Sequence, residues 1–248
     1  LQGLRQRTSI DFRTLLAVYL RERGYEIPQG EGLADVTAPP AREELEDAYS
    51  RHAGGHARRF VWLPRAYPNT GTPEPFYTFH VTIGFLPADR LREAARAQGA
   101  SVTEYLAAVL ISVILERQKR EDPRRLRPVR LAVPVNLRAY FPSRTLENFI
   151  LTVNPGVDPA LGDYTFPEIV AQMHGYMNLH VNRQELQSGF TKNVRLTRNP
   201  LLRAVPLFLK SPIMAAFYRA QAVRPYSCTL TNPGVFRVPE SMRPHIDR

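Results

Sequence analysis

The chain has 248 residues, of which 44% are hydrophobic and 23% charged, with a formal net charge of +10 and one cysteine. That length suffices for one large domain or two small ones, with a sizeable core. A single cysteine excludes an internal disulfide and any cysteine-rich zinc site and fits a reducing cytoplasm, and no run approaches the roughly 18 uninterrupted apolar residues of a membrane span.

The N-terminal LQGLRQRTSIDF has no apolar core of the kind a signal peptide needs. Thr8–Arg23 reads as a helix capped by Thr8 or Ser9, with Phe12, Leu15, Leu16, Tyr19 and Leu20 at helical spacing and Gly24 as its stop. Residues 28–75 are rich in proline and glycine and read as a connector, with a charged helical stretch over Ala41–Arg51. Phe76–Leu86 alternates like a strand. Pro87 and Asp89 then open a short helix that runs to about Gln98 and stops at Gly99. Ser101 or Thr103 caps a second helix, Val102–Lys119, with Leu106, Val109, Leu110, Val113 and Ile114 in register.

Strands follow at 129–135 and 148–154, joined by a loop at 136–147. Phe166–Gln187 reads as one helix, and Leu201–Ala222 as one or two helices kinked by Pro206 and Pro212. Tyr226–Thr231 reads as a strand turned by Asn232-Pro233-Gly234, with an extended segment beyond it. Helices alternating with strands predict an α/β fold, a mixed sheet with helices packed on it.

The histidines are His52, His56, His80, His174, His180 and His245. His52 and His56 have the spacing of a helical metal pair, but Gly54 and Gly55 between them favour a loop. His80 reads as a core histidine within its strand. His174 and His180 fall on nearly opposite faces of one helix. Cys228, inside an apolar strand, reads as inert core. No GxSxG, P-loop, GxGxxG or HExxH motif occurs.

Arg138 follows an apolar strand and is either an exposed loop arginine or a guanidinium that fixes a loop by pairing with a carboxylate. Asn136 and Asn148 have the chemistry to hydrogen-bond the turn. Ser227, Thr229 and Thr231 share one face of a strand, with Asn232 beyond. That polar strip is either a channel lining with donors for an oxyanion or a solvent-facing edge.

Four stretches in order resemble one family: GFLPADRLREAARAQGASVTEYLAAVLISVI (84–114), VRLAVPVNLRAYFPSRTLENFILTVNPGVDP (129–159), RNPLLRAVPLFLKSPIMAAFY (198–218) and SCTLTNPGVFRVPESM (227–242). With TSIDFRTLLAVYLRERG (8–24) they are similar to the coenzyme A-dependent acyltransferase superfamily of chloramphenicol acetyltransferase and condensation domains. The similarity is closest to bacterial alcohol acetyltransferase-like and polyketide-associated acyltransferase proteins. The resemblance implies two lobes around a tunnel, with no bound cofactor. The donor is an acyl-CoA or a phosphopantetheine thioester, and the acceptor a small alcohol.

In this family the histidine of an HxxxDG motif acts as general base, and its aspartate pairs with an arginine. Arg138 matches that arginine and Asn148 the asparagine after it, as active-site support. Thr231 and Asn232, with Ser227 and Thr229, match the channel strand.

The HxxxDG motif itself is absent. Where it should precede the first helix the chain reads LQGLRQR. Residues 1–27 are therefore read as the terminal helix of a truncated N-terminal lobe, 28–75 as an inter-lobe connector, and 76–248 as an incomplete C-terminal acyltransferase-like lobe. No turnover by the chain alone is expected, and Arg138 is expected to be exposed or paired with another acid.

The positive charge, almost all arginine and dense over Lys119–Arg130, has three readings. It attracts the phosphates of coenzyme A or an acidic carrier, it binds nucleic acid without a recognition module, or it is a solvated face. The alternative function is a non-catalytic interaction module that binds an acidic carrier protein or a separately encoded N-terminal lobe.

Overall fold

The computed structural model describes residues 11–246 except Glu31, Thr72, Pro73, Glu74, Tyr77 and Phe79. Among these the chain forms eight α-helices and a four-stranded mixed sheet. It folds into two compact units, each gathered from separated stretches. One comprises Leu1–Gly54, Asn136–Ile150 and Pro233–Arg248; the other comprises Gly55–Val135 and Leu151–Asn232.

In the first unit, α1 spans Phe12–Glu22. Thr8 and Ser9 lie outside the described residues. The cap is Asp11, whose carboxylate accepts the Arg13 and Thr14 amides, both at 3.1 Å. Gly24 takes φ +88° and ends the helix. Ala17 and Leu20 form a core with Ile27 and Met242, backed by Leu16, Leu33, Val238 and Ile246. The expected apolar face is only partly buried: Phe12, Leu15 and Tyr19 are exposed. Small Ala17 turns inward instead, Phe12 meets the Phe236 ring edge-on at 5.3 Å, and Tyr19 lies under the Arg23 guanidinium. Asp47 caps the short α2, Ala48–His52, which replaces the longer helix expected from Ala41.

In the second unit, α3 spans Ala88–Ala97, with Asp89 in its first turn and Gly99 beyond it at φ +67°. α4 spans Val102–Glu121 and opens with a capping box: Ser101 Oγ accepts the Glu104 amide at 3.3 Å, and the Glu104 carboxylate accepts the Ser101 amide at 2.7 Å. Of the five apolar residues expected in register only Ile114 is buried. The packed side carries Ala107, Ala108, Ile111, Leu115 and Gln118, because alanines let a helix approach its neighbours closely. Gln118, fully buried, donates to the Arg127 carbonyl at 3.0 Å and accepts the Arg127 amide at 2.7 Å. It thus ties the end of α4 to the entry of β1, Val129–Asn136.

β1 carries the sheet. β2, Ile150–Val153, and β3, Gly156–Val157, both neighbour it, β3 antiparallel with Val129 opposite Val157. β4, Cys228–Thr229, pairs with it in parallel, Leu131 opposite Cys228. Odd and even residues of β1 serve different edges: the Leu131 amide donates to Pro155, while the carbonyls of Arg130 and Ala132 accept from Ser227 and Leu230.

One expected strand is not part of this sheet. The described residues of Phe76–Leu86 form no strand and are exposed, His80 with them. Alternation alone does not make a strand: it needs a ladder partner, and no described strand pairs with this stretch. The predicted 226–231 strand shortens to two residues.

α5, Phe166–His180, packs on α4 and on β3. The expected continuation to Gln187 breaks at Val181, because Asn182 caps a new helix, α6, Arg183–Arg198, by accepting the Glu185 amide at 3.0 Å. α7, Pro200–Ala204, and α8, Leu207–Tyr218, follow. No described helix is long and apolar enough to cross a membrane singly.

Candidate functional site

Arg138 lies in the first unit, on the 3-10 turn Leu137–Ala139. The turn forms because Asn136 accepts the Arg138 amide at 3.1 Å, and it is anchored by fully buried Leu137, whose amide donates to the Phe149 carbonyl at 3.1 Å. Phe141 and Phe149 are fully buried on either side of the loop.

The guanidinium is half-buried and makes no ion pair with an acid among the described residues. Nε and Nη2 donate to the Thr145 carbonyl at 3.2 and 2.7 Å, and Nη2 also donates to the Glu147 carbonyl at 2.6 Å. The expectation that Arg138 would be exposed or acid-paired is therefore corrected. Three donor contacts from Nε and Nη2 to loop carbonyls satisfy that side of the guanidinium.

The same loop is gripped from its other side. Thr145 Oγ1 donates to the Glu46 carbonyl at 2.8 Å, and the Leu146 amide donates to the Glu44 carbonyl at 2.8 Å. Ser143 Oγ donates to the Glu46 carboxylate, which also takes Arg51 at 2.7 Å. The Ser143 hydroxyl, and then Arg51, hold the Glu46 carboxyl below its ordinary value. Tyr49 exchanges two hydrogen bonds with the backbone of Ile150, at 2.6 and 2.9 Å. His52 Nε2 donates to the Pro142 carbonyl at 3.1 Å with its ring beside Phe141 and Phe149. Asn148 is exposed.

The polar strip belongs to the second unit. Ser227 is buried with its amide on Arg130, and its Oγ has no hydrogen-bond partner among the described residues. Thr229 and Thr231 are exposed, so the strip does not hold one environment along its length. The strand ends at Thr229 and with it the two-residue alternation. Asn232 donates to Thr103 Oγ1 at 2.9 Å, at the start of α4. Cys228 is half-buried, and burial pushes its thiol up, away from nucleophilic character.

The second unit also contains a constellation that the sequence did not announce. Glu104, inside the capping box, accepts His174 Nδ1–H at 3.3 Å, and His174 Nε2 accepts the Asn178 amide at 2.9 Å. Burial pushes the Glu104 carboxyl up, but hydrogen bonds from the Ser101 amide and then His174 outweigh it, and the group sits below its ordinary value. Seventy residues separate Glu104 from His174, so only the packing of α4 on α5 unites them. The helical spacing of His174 to Asn178 was the one local signal.

A second cluster surrounds Tyr176, whose hydroxyl accepts the Asn154 amide at 3.1 Å and whose ring lies 4.2 Å from that of His180. Burial pushes Tyr176 and Tyr226 up and pulls His180 down. Arg130 donates to the carbonyls of Pro225 and Pro64. An open cleft of about 640 Å³ is lined by Leu161, Tyr164, Glu168, Gln172 and Tyr176, and none of the residues singled out from the sequence lines it. Among the described residues no group of three His, Cys, Asp or Glu is placed to hold a metal ion.

No protein-family model matches this sequence, and no curated protein shows significant similarity to it.

Proposed function

We propose that the chain is an acyl-transfer protein of the chloramphenicol acetyltransferase and condensation-domain superfamily, alcohol O-acetyltransferase-like, working in the cytoplasm. In this reading residues 76–248 correspond to the C-terminal lobe, 28–75 to the connector and 1–27 to a helix of the first lobe. The donor is an acyl-CoA or carrier-bound phosphopantetheine thioester. An acceptor hydroxyl attacks the thioester carbonyl, a base takes the hydroxyl proton, the C–S bond breaks, and the departing thiolate takes that proton and leaves as the thiol.

The observation that carries the reading is Arg138. Arg138 stands where the resemblance puts the arginine of active-site support, and its guanidinium here braces its own loop through the Thr145 and Glu147 carbonyls rather than an aspartate. Asn148 stands beside that loop, and Ser227, Thr229, Thr231 and Asn232 take the part of the channel strand. The chain alone does not turn over. It has no HxxxD sequence, and the Nε2 of His174, an imidazole held by a carboxylate, is occupied by Asn178 rather than open to an acceptor hydroxyl.

The test combines two measurements on the purified chain. Acetyl-CoA with a simple alcohol releases no thiol above hydrolysis, while calorimetry detects binding of coenzyme A. Turnover would overturn the first expectation; absence of coenzyme A binding would overturn the family reading.

A further inference from the structure

Between Glu185 and Glu240 the chain contains no aspartate or glutamate but eight lysines and arginines. Its central part, α7 and α8, contains no buried residue. Leu207, Phe208, Ile213 and Tyr218 are 76, 75, 63 and 62% exposed. These residues are distributed around α8 rather than along one stripe, and Lys210 and Ser211 are its only strongly polar members. A helix apolar on all sides suits a hydrocarbon environment better than the one-sided groove of a protein partner. Twelve residues reach only about 18 Å, too short to span a bilayer but suited to lying in its interface.

The flanks match that setting. Arg198, Arg203, Lys210, Arg219 and Arg224 make no side-chain ion pair among the described residues, so their charge is available to an anionic surface. Phe217 of α8 forms an aromatic group with Phe60 and Trp62, ring centroids 5.2 to 6.1 Å apart, and Trp62 is 64% exposed. Tryptophan at the edge of an apolar element is the composition of a membrane–water boundary.

We infer that α7 and α8 form a docking surface for an anionic lipid bilayer. The helix seats its apolar side chains at the headgroup–acyl boundary, and the surrounding arginines meet lipid phosphates and carboxylates. The inference is independent of the acyl-transfer reading.

The test is sedimentation of the full chain with phosphatidylcholine vesicles, with or without about 30 mol% phosphatidylserine, at low and high salt. Trp62, the only tryptophan, reports insertion by a blue shift of its emission. Anionic vesicles should retain the chain about tenfold better than neutral ones, and high salt should remove the difference. The exposed-site variants Phe208→Glu and Ile213→Glu should lower retention about tenfold with an unchanged circular dichroism spectrum. No retention, equal retention by neutral vesicles, or unaltered binding by both variants would overturn the inference. So would either other occupant: a dimer that Phe208→Glu dissolves, or capture by an immobilised acidic acyl carrier protein, without vesicle binding.

Discussion

The Glu104 carboxylate serves two helices at once, closing the capping box of α4 through the Ser101 amide at 2.7 Å and receiving His174 Nδ1–H from α5 at 3.3 Å. Glu104→Gln keeps an acceptor for Ser101 but removes the charge at the α4 N-terminus, at a cost of about 1 kcal/mol. The carboxyl sits below its ordinary value in the folded state. Its stabilisation is therefore full above that ordinary value and disappears as pH falls through the lowered one. Urea midpoints across the acidic range should show the native protein's advantage over Glu104→Gln shrinking on acidification. A constant difference would assign the effect to shape alone.

Arg138→Ala should expose the loop at 143–147. Removing three donor contacts leaves the Thr145 and Glu147 carbonyls without them, for about 1–3 kcal/mol. Arg138→Lys cannot reproduce the fork that reaches both carbonyls and should recover only part of the loss. Limited proteolysis should cut within the loop in the order alanine, then lysine, then native. Equal resistance in all three would deny the clamp.

Gln118→Leu should be costly although it fills the space with carbon. The Arg127 amide and carbonyl lose both partners, for about 1–3 kcal/mol each where water does not replace them. Hydrogen exchange at the Arg127 amide should accelerate in the variant while the amides of α1 are unchanged.

Two glycines separate close backbone approach from close side-chain approach. A Cβ at Gly156 would meet the Val129 carbonyl and lie 2.8 Å from the Arg130 Cα, whereas at Gly189 it would meet the Leu151 side chain at 2.9 Å. Gly156→Ala therefore presses on backbone and should cost about 1–3 kcal/mol. In Gly189→Ala the leucine can rotate, and the change should be milder. Thermal midpoints of the two variants decide the order.

The local signals in the sequence were accurate where the chain acts on itself. Ser101 as a cap, Pro87 with Asp89, and the stops at Gly24 and Gly99 placed helix ends because caps are satisfied within a few residues. The strand at 129–135 and the mixed α/β class were likewise legible. Burial was not: the register Leu106–Val109–Leu110–Val113 counted side-chain polarity, whereas the packed side of α4 was chosen by alanines. The 76–86 alternation needed a ladder partner, which no described strand provides and which no local pattern can report. Arg138 stood out in the sequence, but its partners are main-chain oxygens, which every residue carries and which therefore leave no mark in composition. Glu104 and His174 meet across seventy residues, beyond any spacing rule.

Among the described strands, β2, β3 and β4 each have a ladder with β1 and none with one another. The sheet is thus a hub with three spokes and no redundancy. Loosening eight residues releases every strand together, so cooperativity is concentrated there, and a lesion in Val129–Asn136 would have no neighbouring ladder to contain it.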